Sequence, residues 1–92
     1  MENELREKIA QKVSELKEVG DCCGIEIGNG KGLFIQVEHE EVFDSERKEY
    51  FVELNDVCDD DWEPCGKYNL RVGFGSQALL LDEIEEYLKQ NL

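Results

Sequence analysis

Between Val57 and Gly66 the chain reads V-C-D-D-D-W-E-P-C-G. Asp59, Asp60, Asp61 and Glu63 surround the only tryptophan, Trp62, while Cys58 and Cys65 bracket them and the only proline, Pro64, lies inside. Such a set suits three chemistries: a metal site, a disulfide-stapled loop, or an acidic contact element. Structural zinc sites place paired ligands roughly two to four residues apart, so that one knuckle presents both sulfurs to a tetrahedral ion. Cys58 and Cys65 are too widely spaced for that. Cys22 and Cys23 are adjacent, and in a strand they would point to opposite faces. His39 alone could add a nitrogen. No metal and no cofactor is expected, and the thiols read as buried or half-buried groups that behave as small apolar residues.

Calcium fares no better. An EF-hand loop needs glycine at its sixth position and glutamate at its twelfth. Counted from Asp59, those positions hold Pro64 and Leu70. The glycines of Gly28-Asn29-Gly30-Lys31-Gly32 match neither a dinucleotide fingerprint nor a P-loop, and fit a hairpin turn. Gly73-Phe74-Gly75-Ser76 leads from a strand into a helix and fits a cap, with a ligand site there as the alternative. His39 lies among Glu38, Glu40 and Glu41, where a general base could be tuned. Ser45 and Ser76 are distant in sequence and neither carries the marks of a nucleophile. The chain reads as a non-enzyme.

The elements that must position these residues follow from periodicity. Leu5, Ile9, Val13 and Leu16 mark one apolar stripe of a helix over residues 2–19, with Gly20 as its stop. Four strands follow. The first runs from Cys22 to Ile27. Leu33, Ile35 and Val37 alternate in the second, Tyr50, Val52 and Leu54 in the third, and Tyr68, Leu70, Val72 and Phe74 in the fourth. Asp44-Ser45-Glu46 marks a turn between the second and third, and the acidic stretch is a loop before the fourth. Leu80, Leu81, Ile84, Tyr87 and Leu88 mark a closing helix that Ser76 would cap from Gln77. Short links favour an antiparallel meander. The expected fold is a single α+β domain over residues 1–92, α-β-β-β-β-α, with both helices on one face of a four-stranded antiparallel sheet. Its other face would present Phe34, Gln36, Glu38, Glu49, Phe51, Glu53, Asn69 and Arg71, polar and acidic with two exposed aromatics.

Charge narrows the function. The 92 residues hold 23 acids and 10 bases, a net of −13. Five acids stand against one base between Asp56 and Lys67, the densest stretch. Phosphate neutralisation needs Lys and Arg, so direct binding of nucleic acid or of an anionic membrane is excluded. The N-terminus has no basic segment followed by an apolar run, and the longest apolar run, Ala78 to Leu81, is far too short to span a bilayer. A cytoplasmic protein is expected. Carboxylates spaced along a strand and loop with aromatics between them suit a basic groove that normally holds nucleic acid. The expected contact residues are Asp59, Asp60, Asp61, Trp62 and Glu63 of the loop, with Phe34, Glu38, Glu49, Phe51 and Glu53 of the sheet. In size, charge and compactness the chain resembles small acidic inhibitors that imitate nucleic acid, such as phage anti-restriction and anti-CRISPR proteins. That resemblance implies a basic protein partner, for instance a nuclease. An immunity protein against a basic nuclease toxin has the same physics, and a housekeeping α+β domain or small enzyme with a ligand near Gly73–Ser76 is the other alternative.

Overall fold

The computed structural model describes residues 3–42, 45–59, 61–73, 75 and 77–91, with the side chains of 40–42, 45–47, 64–69 and 91 set aside. The order is α1 (Asn3–Ser14), β1 (Cys22–Gly28), β2 (Lys31–Val42), β3 (Ser45–Cys58), β4 (Asp61–Gly73) and α2 (Gln77–Asn91). The strands pair antiparallel in chain order, β1-β2-β3-β4, as the short links require. Leu33, Ile35, Val37, Tyr50, Val52, Leu54 and Val72 line one face of the sheet and form a single core with Ile9 and Val13 of α1 and Leu80, Leu81, Ile84, Tyr87 and Leu88 of α2. The expected α+β architecture is the observed one. No helix among the described residues is long and apolar enough to cross a membrane.

Helix α1 stops at Ser14, well before Gly20. The Ser14 hydroxyl donates to the Gln11 carbonyl at 2.6 Å, and the N–H groups of Glu15 and Leu16 bond three residues back, to Lys12 and Val13. That tighter turn ends the α-helix. Leu16 is nonetheless buried, so the apolar stripe outlasts the helix that it marks. The connection is held by Asp21, whose Oδ2 accepts the N–H groups of Lys17 and Glu18, both at 3.0 Å.

These backbone bonds, with a smaller contribution from the Lys48 charge, hold the Asp21 carboxyl below its usual range. A folded pKa below the unfolded value gives stability that is fully present above the unfolded value, near 4, and lost as pH falls through the folded one. Asp21→Ala is therefore expected to lower the Tm at neutral pH, and the gap from the parent should close as pH falls below about 4. Thermal unfolding of both chains across this range is the check. A gap that does not narrow in acid would mean that the carboxylate is not what holds the turn.

The β1–β2 hairpin closes through Asn29 and Gly30, whose φ values of 57° and 72° are both positive. Two positive values define the type I′ turn, matched to the twist of the flanking strands. At the next hairpin Val42 pairs with Ser45, so Ser45 and Glu46 belong to β3 and not to the expected turn, and Asp44 lies outside the described residues. The largest departure is the acidic stretch. It is not a loop: Asp61, Trp62 and Glu63 already lie in β4, with Cys58 opposite Asp61, Val57 opposite Trp62 and Asp56 opposite Glu63. Pro64 stands opposite Asn55 and is tolerated because β4 is an edge strand. The register then jumps to Glu53 opposite Asn69, so residues 65–68 stand against Leu54 alone. Asp59, at φ 55°, turns the chain at the tip. Aspartate is among the few residue types that adopt this conformation readily. Asp60 lies outside the described residues.

Candidate functional site

The face of the sheet away from the helices carries the expected residues Phe34, Gln36, Glu38, Glu49, Phe51 and Glu53, because β2 and β3 pair with these positions in register: Phe34 with Glu53, Gln36 with Phe51, Glu38 with Glu49. Two carboxylates directly opposite one another destabilise a ladder. Arg71 relieves the Glu38–Glu49 pair. Its Nη1 donates to Glu38 Oε2 at 2.8 Å and to Glu49 Oε1, and its Cζ lies 4.9 Å from the centre of the Phe51 ring. The hydrogen bonds to Glu38 and Glu49 push the guanidinium above its already high value. Glu49 is only 8% exposed, and Phe34 and Phe51 are half-buried rather than the exposed aromatics expected. At this end of the face one guanidinium offsets part of the acid from within, leaving the pair of carboxylates with a net single negative charge.

Trp62 joins the same face from the other end. The six-membered ring of its indole packs against two glycines. A Cβ built on Gly32 would stand 2.5 Å from Trp62 Cη2 and Cζ3, and one on Gly24 would stand 3.2 Å from Cη2. The first separation is impossible for real atoms, so glycine at 32 is what lets the ring settle. Trp62, Phe34, Gly24, Glu53 and Asn55 line a groove of about 420 Å³. Asn55 is buried and its Nδ2 donates to the Glu53 carbonyl at 3.3 Å. Glu53 is half-buried and forms no ion pair with a described residue. Gly24, Gly32 and Asn55 were not expected here: Gly32 reads as part of the Gly28–Gly32 turn, and Gly24 only as a position within the first strand. The signal is positional: paired with Phe34 and Asn55, Gly24 and Gly32 fall on the outer face.

The acidic cluster and the tryptophan are not one patch. Alternation along β4 turns Asp61 and Glu63 to the side opposite Trp62. There Asp56 stands across from Glu63, a second like-charge pair, and Lys31 bridges to Asp56. Asp59, Asp61 and Glu63 are exposed and form no ion pair with a described residue. This hairpin end is thus anionic on one side and aromatic on the other.

The remaining expectations concern cysteine, histidine and the α2 start. Cys22 and Cys58 are exposed free thiols, contrary to a buried role, because they sit at strand positions that the helices do not cover. Cys23 is half-buried, and burial pushes its thiol pKa up. His39 is exposed and stands opposite Lys48. No group of three or more His, Cys, Asp or Glu side chains able to hold a metal ion occurs among the described residues. Helix α2 begins at Gln77, while Phe74 and Ser76 lie outside the described residues. Beside that start a groove of about 380 Å³ is lined by Leu16, Tyr50, Lys17, Ser14, Gly75 and Gln77.

No known protein family, curated protein or solved structure matches this chain.

Proposed function

We propose that the protein is a small acidic binding protein that occupies a basic surface of another protein, one that otherwise holds nucleic acid, in the cytoplasm. The observation that carries this reading is the β3–β4 hairpin end, where Asp59, Asp61 and Glu63 are exposed without an ion pair among the described residues, on a chain of net charge −13. Folding gains nothing from placing Glu63 opposite Asp56. Lys31 already bridges to Asp56, so a cationic groove would compensate Glu63 together with Asp59 and Asp61. Anti-CRISPR and anti-restriction inhibitors, and immunity proteins of nuclease toxins, are the roles that share this physics. The attraction acts at a distance, so its main effect is on the rate of encounter.

The test starts from a partner recovered from host lysate on the immobilised chain. Duplex DNA or RNA should compete with the chain for that partner. Association should slow as salt rises, and Asp61→Lys with Glu63→Lys should slow it about tenfold at low salt while leaving dissociation within about twofold. Both positions are exposed, so the variant should keep its stability within about 0.5 kcal/mol. A partner that binds nucleic acid and this chain simultaneously, or rates indifferent to salt and to the double variant, would sink the proposal.

A further inference from the structure

We infer that the groove between Trp62 and Phe34 receives the side chain of an arginine from a partner protein, with Glu53 as its counter-ion. The inference rests on the reading of the chain as a binder of basic proteins for its biological role, though not for its chemistry.

The sheet already contains the arrangement once. At one end of the outer face the Arg71 guanidinium lies over Phe51 and bonds two carboxylates, Glu38 and Glu49. One register step along, Phe34 stands opposite Glu53, just as Gln36 beside it stands opposite Phe51. Here the aromatic surface is doubled by Trp62, and Glu53 has no cation among the described residues. A planar cation between or over aromatic rings gains from their quadrupoles, most of all over tryptophan. A guanidinium also matches a carboxylate through two parallel N–H donors, which a lysine ammonium cannot do. The floor is built for close approach: Gly24 and Gly32 let the indole come down onto the backbone, where the ring forms one wall of the groove. Asn55, buried and bonded to the Glu53 carbonyl, fixes the strand beneath the carboxylate. An anionic or purely apolar occupant would leave Glu53 uncompensated, and burying an unpaired carboxylate is costly.

Trp62 is the only tryptophan, so its emission reports on the groove alone. The probe is the blocked peptide acetyl-Gly-Arg-Gly-amide, with its lysine and glutamate counterparts, titrated at about 0.15 M salt, where distant charges are screened. The arginine peptide should change Trp62 emission saturably, with a Kd on the order of millimolar for one side chain. The lysine peptide should bind at least severalfold more weakly, and the glutamate peptide should not bind. Glu53→Gln, nearly isosteric, should weaken arginine binding about tenfold. Glu83→Gln makes the same charge change on α2, across the sheet, and should leave it unaltered. Backbone amide shifts of the parent chain should move at Gly24, Gly32, Glu53 and Trp62, a result that needs no variant to fold. No saturable change, equal binding of arginine and lysine, an unaffected Glu53→Gln, or shifts confined to other residues would each overturn the inference. Asp61→Lys with Glu63→Lys separates the two proposals. If it slows partner association while no peptide binds, only the groove fails. If peptide binds and no basic partner is steered, only the proposed function fails.

Discussion

Leu80→Ala is expected to remove about 2–5 kcal/mol of stability, while Leu79→Ala, one position earlier, should change it by less than about 0.5 kcal/mol. The two side chains leave α2 about 100° apart. Leu80 is fully buried against the sheet, with Leu81, Ile84, Tyr87 and Leu88 continuing its stripe, whereas Leu79 is 50% exposed. A cavity at Leu80 lies under a helix that cannot collapse onto a pleated sheet without losing its neighbours. For a chain of this size the loss corresponds to a Tm lowered by at least about 10 °C. Urea unfolding of both variants decides the matter. Similar costs at the two positions would mean that α2 is rotated on the sheet, and the assigned inner face would be wrong.

Gly32→Ala should cost about 1–3 kcal/mol even though alanine is the better residue in a strand, because the added methyl meets the indole of Trp62 at 2.5 Å. At Gly24 the same methyl meets the ring at 3.2 Å, a gap that a small tilt of the indole can widen, so Gly24→Ala should cost less. The argument is specific enough for a double-mutant cycle. With Trp62 already replaced by alanine, Gly32→Ala should cost clearly less, the tight contact left being Val57 Cγ2 at 3.0 Å. Trp62→Ala alone should now cost stability, since the ring covers strand backbone and is not the exposed loop residue expected from sequence. Equal costs for Gly32→Ala in both backgrounds would show that the ring does not rest there.

Much of this fold is legible in the chain because most of its elements are patterned by one face. Alternation at Leu33, Ile35, Val37, Tyr50, Val52 and Leu54 and the 3.6-residue recurrence from Leu80 to Leu88 are direct consequences of burial. The end of α1 was hidden for the same reason: Leu16 remains buried after the helix has stopped, so hydrophobic spacing carries no trace of the stop. What ends it, the Ser14 hydroxyl on the Gln11 carbonyl and the tighter turn through Glu15 and Leu16, is a set of polar contacts that periodicity does not register, and the same holds for the Asp21 carboxylate that secures the connection beyond. The acidic hairpin misled differently. Consecutive aspartates with a proline nearby have the composition of a loop, and only the position of β4 at the sheet edge admits Pro64 into a strand. Once that strand is in place, alternation parts Trp62 from Asp61 and Glu63, neighbours in sequence that face opposite ways. The groove was invisible because its floor is made of absences, the missing side chains of Gly24 and Gly32.

The strand order has a consequence for how the chain reaches this state. Each ladder joins segments that are consecutive in sequence, so the sheet can assemble by closing three hairpins in turn, each an event of about 1–10 μs in isolation. β3 is shared by two of those hairpins and commits both once it is extended. The contact between the two helices is far more remote: Arg6 of α1 meets Asp82 and Glu85 of α2, the latter 79 positions away. Loop-closure entropy grows with separation, so the docking of α1 beside α2 is expected to come late. A meander not yet covered by both helices would expose part of its inner face to water, and the chain's net charge of −13 would oppose the association of such molecules.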